Sequence, residues 1–316
     1  MPCFRWVLVL FVMTAGVAQA APFAYITNQL DDTVAVVDTA TNQVVKTIKV
    51  GSRPAGVVVT ANGSRVYVSN PESHSLSMID GRLQKLIKTK VLGIAPVGID
   101  ADSVGKRVYV ADWYQNVVRV LDGKTLRLIK IIQVEKAPAG VVVSEKRQRI
   151  DVSNRDSDSV SSINARTLKV ISTGKVGHHP FGITVDKAGK RLYVANVLSH
   201  DVTVLDARTL KQVARIDVGE RPYVVALTAS GKQLLVSNQD DDTISVIDTQ
   251  TNTVIKTVTV GETPEGIAIH PDQIHAYVAN WMSGTVSVLN LKAFQVEQTI
   301  KTGQGSRAFG RFMQRE

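Results

Sequence analysis

Apolar and polar positions alternate in short runs from Ala24 to the C-terminus, and turn-forming residues break the runs at even intervals. Runs such as Val34–Asp38 and Val286–Asn290 are too short for helices, and Gly and Pro recur too often between them for helical repeats. They predict β-strands. The pattern itself then repeats. Segments beginning at Ala24, Val66, Val108, Ile150, Leu192, Leu234 and Ala276 fall 42 residues apart without an insertion. They read AYITN, VYVSN, VYVAD, IDVSN, LYVAN, LLVSN and AYVAN. A proline column keeps the same step at Pro54, Pro96, Pro138, Pro180, Pro222 and Pro264, with Ser306 in the seventh place. The glycine three residues ahead of that column fails only at Glu135.

Four β-rich runs per repeat predict a blade of four-stranded antiparallel sheet, and seven repeats predict an all-β, seven-bladed β-propeller. The aliphatic column Val34, Leu76, Val118, Val160, Val202, Ile244 and Val286 is expected to pack between blades. A β-solenoid competes, but its rungs are usually shorter and its ends need caps. The chain enters the first repeat at a blade's second strand, and Arg307–Met313 supplies the missing inner strand. The C-terminal strand is therefore expected to complete the first blade and close the ring, which removes both sheet edges. No composition break divides residues 21–316, which read as one domain. In the fourth repeat Asp151 stands where most repeats have Tyr, and Ser162 where the others have Val or Met. A carboxylate buried there is costly unless paired. Relaxed packing of this blade is the expectation; the alternative is a partner such as Arg149 or a neighbouring hydroxyl.

The AYITN, VYVSN and VYVAN strands, the run VAVVDTATNQVVKTIKVG and the closing RAFGRFM resemble the YVTN-repeat family of β-propellers. The resemblance extends from Ala24 to the C-terminus. It implies the propeller fold and an exported or surface protein, in some members one that looks like a companion of quinone-linked periplasmic metabolism. Similar propellers occur as lactonases and as large domains of periplasmic dehydrogenases. It carries no catalytic set onto these positions.

The N-terminus changes the picture of compartment. Arg5 precedes an apolar run, Trp6 to Val17, broken only by Thr14 and Gly16, and Ala18-Gln19-Ala20 offers a small-x-small cleavage site. Residues 1–20 therefore read as a signal peptide, too short for a comfortable membrane span, and the protein is expected in the periplasm or secreted. The single cysteine, Cys3, lies inside that leader. A mature chain without thiols has no disulfide, no thiolate nucleophile and no cysteine-bound metal or haem. The net charge of +9 favours anionic partners such as an acidic envelope polymer, nucleic acid or anionic lipid.

Candidate chemistry gathers on the face of the Gly-x-x-Pro loops and of the segments that follow each strand-end Asn, which vary most between repeats. Arg53, Trp113, Tyr114, Arg155, Phe181, Arg221, Tyr223, Trp281 and Arg307 fall there. Aromatic faces interleaved with guanidinium groups suit a flat or anionic ligand. Alternatively the aromatics plug the channel and the arginines pair with Asp156, Asp240 and Asp241. His178, His179 and His200 share a blade on the same face, with His74 at the position equivalent to His200, and are the alternative ligands for zinc or copper. No carboxylate evidently completes that set, and no metal or cofactor is assigned. On the opposite face Arg65, Arg107, Arg149 and Arg191, continued by Gln233 and His275, form a basic column beside Arg82, Lys124, Arg166, Arg208 and Lys292.

Gly303-Gln-Gly305-Ser-Arg-Ala308 fits a dinucleotide pattern but opens no helix, and Asp240-Asp241-Asp242 lacks the alternation of a calcium loop. No Gly-x-Ser-x-Gly elbow occurs. The expected function is a non-enzymatic binding or scaffold protein that docks a macromolecule or ligand on one face. The alternatives are a metal-assisted lactonase-like hydrolase or lyase at the channel mouth, and nucleic-acid binding through the arginine-and-aromatic face.

Overall fold

Strands whose side chains are apolar on both faces need cover on both, and here each blade supplies it to the next. The computed structural model describes residues 22–314, so the leader expected at 1–20 lies outside the described residues. Within them, six sheets of four antiparallel strands and one of three follow one another in sequence order around a ring. In the third blade the strands are Pro96–Ala101, Arg107–Asp112, Val117–Asp122 and Leu128–Gln133, from the central channel outwards. The first three are almost wholly buried, whereas the outermost exposes four of its six residues in succession. The column from Val34 to Val286 is fully buried between blades, as its pattern predicts. Inner strands approach so closely that a Cβ on Gly98 would stand 1.6 Å from Ala139 O.

The three-stranded sheet, Phe23–Asn28, Thr33–Asp38 and Gln43–Lys49, is the first blade, and the C-terminal segment fills its inner place. Tyr25 N donates to Phe312 O at 2.7 Å and Arg307 N to Thr27 O at 2.8 Å. On its other side the segment meets the second blade, where Val57 N and Val59 N donate to Phe309 O and Arg311 O, both at 2.8 Å. The segment is less regular than a full strand, with Gly310 at φ 123°, but it ties both ends of the chain into one closed ring.

Two side-chain devices recur round the ring, and each has an informative exception; the tyrosine of the second is also replaced by Leu235 in the sixth blade. The strand-end Asn donates from Nδ2 to residues five and seven positions on: Asn70 reaches Ser75 Oγ and Ser77 Oγ, each at 3.1 Å. In the third blade Asp112 takes that place and faces Arg119 at 3.6 Å, a charged version of the same link. The strand tyrosine reaches a carbonyl in the next blade, as Tyr25 OH does to Gly81 O and Tyr67 OH to Gly123 O, both at 2.8 Å. The fourth blade has Asp151 instead, fully buried. Its carboxylate pairs with Arg147, whose other Nη donates to Ala207 O, the carbonyl at the position equivalent to Gly81 and Gly123. This corrects the expectation of relaxed packing, and the partner is Arg147 rather than Arg149. Aspartate and arginine together rebuild the bridge that a tyrosine makes elsewhere, although burial still pushes the carboxyl of Asp151 up. Among the described residues no helix is long and apolar enough to cross a membrane.

Candidate functional site

The Gly-x-x-Pro loops and the hairpin turns meet on one face because each donates to the other. The residue before proline and a residue of the preceding blade's turn both adopt left-handed backbone, as in Arg53 (φ 54°) and Asp32 (φ 56°), and Arg53 N donates to Asp32 Oδ1 at 2.7 Å. Asn116, Asp158 and Asp242 accept from Ala137 N, His179 N and Thr263 N in the same way. This fastening holds the face rigid and aims the loop side chains across the channel mouth.

Three repeat columns then build a hollow of about 390 Å³. The column after proline runs Ala55, Val97, Ala139, Phe181, Tyr223, Glu265, Arg307, small on one side of the ring and large or charged on the other. Its last four members line the hollow. The column after the strand-end Asn contributes Trp113, Arg155, Val197 and Gln239, and the column before proline contributes His179 and Arg221. Phe181 stacks on Tyr223 with ring centroids 4.0 Å apart, and Phe309 and Trp113 pack against Phe181 at 4.8 and 6.0 Å. These rings close one end of the central channel. Arg155 lies over the Trp113 ring at 4.8 Å and Arg307 over Tyr223 at 5.7 Å.

Arg307 is the least exposed arginine of the group, with 17% of its side chain open to solvent against 34% for Arg155 and 44% for Arg221. Its Nε stands 2.8 Å from Glu265 Oε2, off the N–H axis so that neither atom gains a linear hydrogen bond, and an Nη donates to Tyr223 OH. Gln239 Nε2 donates to Glu265 Oε1 at 3.0 Å. Burial pushes the Glu265 carboxyl up to about 7 while Arg307 pulls it back. Burial likewise raises the Tyr223 hydroxyl. At the rim Arg155 meets Asp156 at 3.2 Å and Arg221 meets Asp240 at 3.4 Å, contacts that solvent weakens.

Six of the nine expected site residues, Trp113, Arg155, Phe181, Arg221, Tyr223 and Arg307, thus line one hollow. The structure does not bring the other three there. Arg53 is exposed on the second blade, where the column after proline is Ala55 and leaves it nothing to pack on. Tyr114 is 75% exposed beside Trp113. Trp281 Nε1 donates to Gln29 Oε1 at 3.0 Å, across the seam between the last blade and the first. The aromatics thus pack as a plug and the rim arginines pair with Asp156 and Asp240, beside a hollow that these side chains line. Glu265 was not among the expected residues; the 42-residue step points to it as the fixed neighbour of Pro264.

The histidine set is a correction. His200 Nδ1 accepts from Arg221 N at 3.1 Å, which is the fastening that Asp32, Asn116, Asp158 and Asp242 perform elsewhere. His178 Nδ1 pairs with Asp158 at 2.8 Å, and His74 with Ile94 O. Among the described residues His178, His179 and His200 do not bring their ligand atoms within 4.8 Å of one another; the group that does is His270, Asp272 and His275. On the opposite face two members of the basic column are tied down, Arg65 against Asp80 at 3.3 Å and Arg107 donating to Ala165 O at 2.8 Å.

Residues 142–229 match the YNCE-like beta-propeller family. The match spans the fourth blade to the sixth, less than a third of the sequence, and agrees with the ring of seven blades. The chain is a seven-bladed β-propeller built of repeats. Solved structures resemble this propeller over most of its length. Hydrazine synthase of Kuenenia stuttgartiensis matches with a TM-score of 0.76 at 21% identity, over 89% of this chain and 99% of that one. A functionally unknown protein from Desulfotomaculum acetoxidans matches at 0.79 and 14%, over 91% and 99%. The dihydro-heme d1 dehydrogenase NirN, in complex with DHE, matches at 0.70 and 13%, over 94% of the propeller and 77% of NirN. At these identities the likeness is one of fold. No curated protein shows significant sequence similarity to the propeller.

Proposed function

We propose that this propeller is a non-enzymatic binding protein that holds a flat, anionic group in the hollow between Trp113, Arg155, Arg221 and Arg307. The observation that carries the reading is the asymmetry of the column after proline, which sets stacked Phe181 and Tyr223 beside half-buried Arg307 and buried Glu265 on one side of an otherwise small-residue ring. Aromatic faces supply stacking, and guanidinium groups supply charge-assisted hydrogen bonds to carboxylate, sulfonate or phosphate. Glu265 is held by Arg307 and Gln239 instead of facing the open part of the hollow, which favours recognition over proton transfer. The leader read at 1–20 would place this binding in the periplasm or outside the cell.

The test uses two isosteric probes, 2-naphthalenesulfonate and neutral 2-naphthalenesulfonamide, titrated into the protein by calorimetry. The sulfonate is expected to bind at least about tenfold more tightly, a difference of ~1.4 kcal/mol. Arg155→Ala/Arg221→Ala is expected to erase most of that preference. Equal affinity for the two probes, or binding of neither, overturns the proposal.

A further inference from the structure

The turn between the inner strand Pro264–Ile269 and the strand His275–Asn280 departs from the other repeats at three places. His270, Asp272 and His275 stand where the second blade has Thr60, Asn62 and Arg65. There the turn closes on itself, with Thr60 Oγ1 donating to Asn62 Oδ1 at 3.0 Å and accepting from Arg65 N at 3.1 Å. In the seventh blade Asp272 Oδ1 alone does this work, accepting from Ile274 N at 2.7 Å and His275 N at 3.0 Å. Its Oδ2 is turned instead toward the two imidazoles.

The hydrogen bonds locate the ring protons. Thr39 Oγ1 donates to Pro22 O at 2.6 Å, so it accepts from His270 Nε2 at 3.1 Å. Neutral His270 therefore carries its proton on Nε2 and turns a bare Nδ1 inward. That Nδ1 accepts from Asp272 N at 3.2 Å and stands 3.0 Å from Asp272 Oδ2. His275 hydrogen-bonds through Nε2 to Glu297 Oε2 at 3.0 Å and through Nδ1 to the same Oδ2 at 2.6 Å, so its Nδ1 becomes a ligand once that proton is displaced. Glu297 is itself fixed by Asn290 Nδ2 at 2.7 Å. Three Lewis-basic atoms thus converge, all within 4.8 Å of one another. In the metal-free protein a proton shared between His275 Nδ1 and Asp272 Oδ2 relieves the repulsion there, and a metal ion would take its place.

We propose that His270 Nδ1, His275 Nδ1 and Asp272 Oδ2 bind a divalent transition-metal ion, zinc foremost. Two imidazoles and one carboxylate are a donor set that zinc takes, and a tetrahedron with zinc-to-ligand bonds of about 2.1 Å has edges of about 3.4 Å. The present separations of 3.0 and 2.6 Å need only a small outward movement to match. Each outer nitrogen is held by an acceptor, Thr39 on one ring and Glu297 on the other, the arrangement that orients metal-bound imidazoles and raises their basicity. Three protein ligands leave a fourth position for water or an added anion. Pro271 and Gln273 of the same turn line the central channel, a space of about 560 Å³ at the opposite end from the aromatic plug. The ion therefore stands at the rim of the other mouth, against the seam where Thr39 of the first blade meets the seventh.

Zinc titrated calorimetrically into the untagged protein is expected to bind at one site per chain. Cobalt at the same site is expected to give the intense visible bands of tetrahedral coordination. His270→Gln and His275→Gln are each expected to weaken zinc at least about tenfold, and Glu297→Gln by roughly ten- to a hundredfold through its hold on His275. His74→Gln and His178→Gln are expected to leave the affinity unchanged. Melting curves without metal show whether each variant folds, and Glu297→Gln, on an exposed outer strand, serves if a ligand variant does not. Absence of zinc binding overturns the proposal and leaves an imidazolium between Asp272 and Glu297. So does zinc affinity that these three variants do not change.

Discussion

Phe312→Ala is expected to lower the stability of the propeller by ~3–5 kcal/mol, the usual loss for emptying a fully buried aromatic site. Phe312 has no exposed surface and packs with Ala24, Ile26 and the aliphatics of the first and last blades. What sets it apart from other core positions is where the loss should appear. Its carbonyl accepts from Tyr25 N, and the segment that carries it holds Val57 N and Val59 N on the other side. Loosening the segment reopens two sheet edges at once, so the ring should open at the seam before any blade unfolds. Denaturant unfolding gives the magnitude, and hydrogen exchange gives the place: Tyr25, Arg307, Val57 and Val59 should lose protection first. A loss under ~1 kcal/mol, or protection that falls evenly round the ring, would contradict a closure made by the C-terminal segment.

The second large effect concerns Arg307. Removing one member of a buried ion pair typically costs ~3–5 kcal/mol, because the partner's charge stays behind. Arg307→Ala leaves Glu265 buried with only Gln239 for company. In the native protein the Glu265 carboxyl is already pushed up to about 7 from its ordinary value of 4.5. A folded-state value above the unfolded one means that the folded form holds the proton more tightly. The contribution is therefore fully present below the unfolded value and is lost as pH rises through the folded one. Without Arg307 the carboxyl rises further, so the variant should be much weaker than the parent at mildly alkaline pH and closer to it in mild acid. Glu265→Gln/Arg307→Ala should recover most of the loss and remove its pH dependence. Equal destabilisation of Arg307→Ala at both pH values would show that lost packing, not an abandoned carboxylate, is the cause.

The fold was legible because a 42-residue step leaves nothing else free to vary: once AYITN recurs as AYVAN with no insertion, strands, blades and closure follow from packing. The site was legible in part for the same reason. Trp113, Arg155, Phe181 and Tyr223 converge because their columns are fixed by the strand-end Asn and the proline. Glu265 escaped notice because aromatics and arginines were sought in its column, where Phe181, Tyr223 and Arg307 stand, and it is a carboxylate. The histidines show a different limit. Sequence register put His178, His179 and His200 on one blade, but not that a backbone N–H already occupies His200 Nδ1. Nor does register reveal that Asp151 and Arg147, four residues apart across a turn, replace one tyrosine.

The most direct measurement is the affinity for 2-naphthalenesulfonate between about pH 8 and about pH 5, in the wild type and in Glu265→Gln. Both are measured with His179→Gln as background, which removes the imidazole that lines the hollow. Protonation of Glu265 removes the carboxylate that neutralises Arg307 and frees that charge for the ligand. The wild-type affinity should rise about tenfold as pH falls through 7, one charge contact worth ~1.4 kcal/mol. Glu265→Gln should bind as tightly as the acidic wild type at every pH. A wild-type affinity that stays flat, or a variant that keeps the full pH dependence, would contradict the assignment of this hollow as an anion site governed by Glu265.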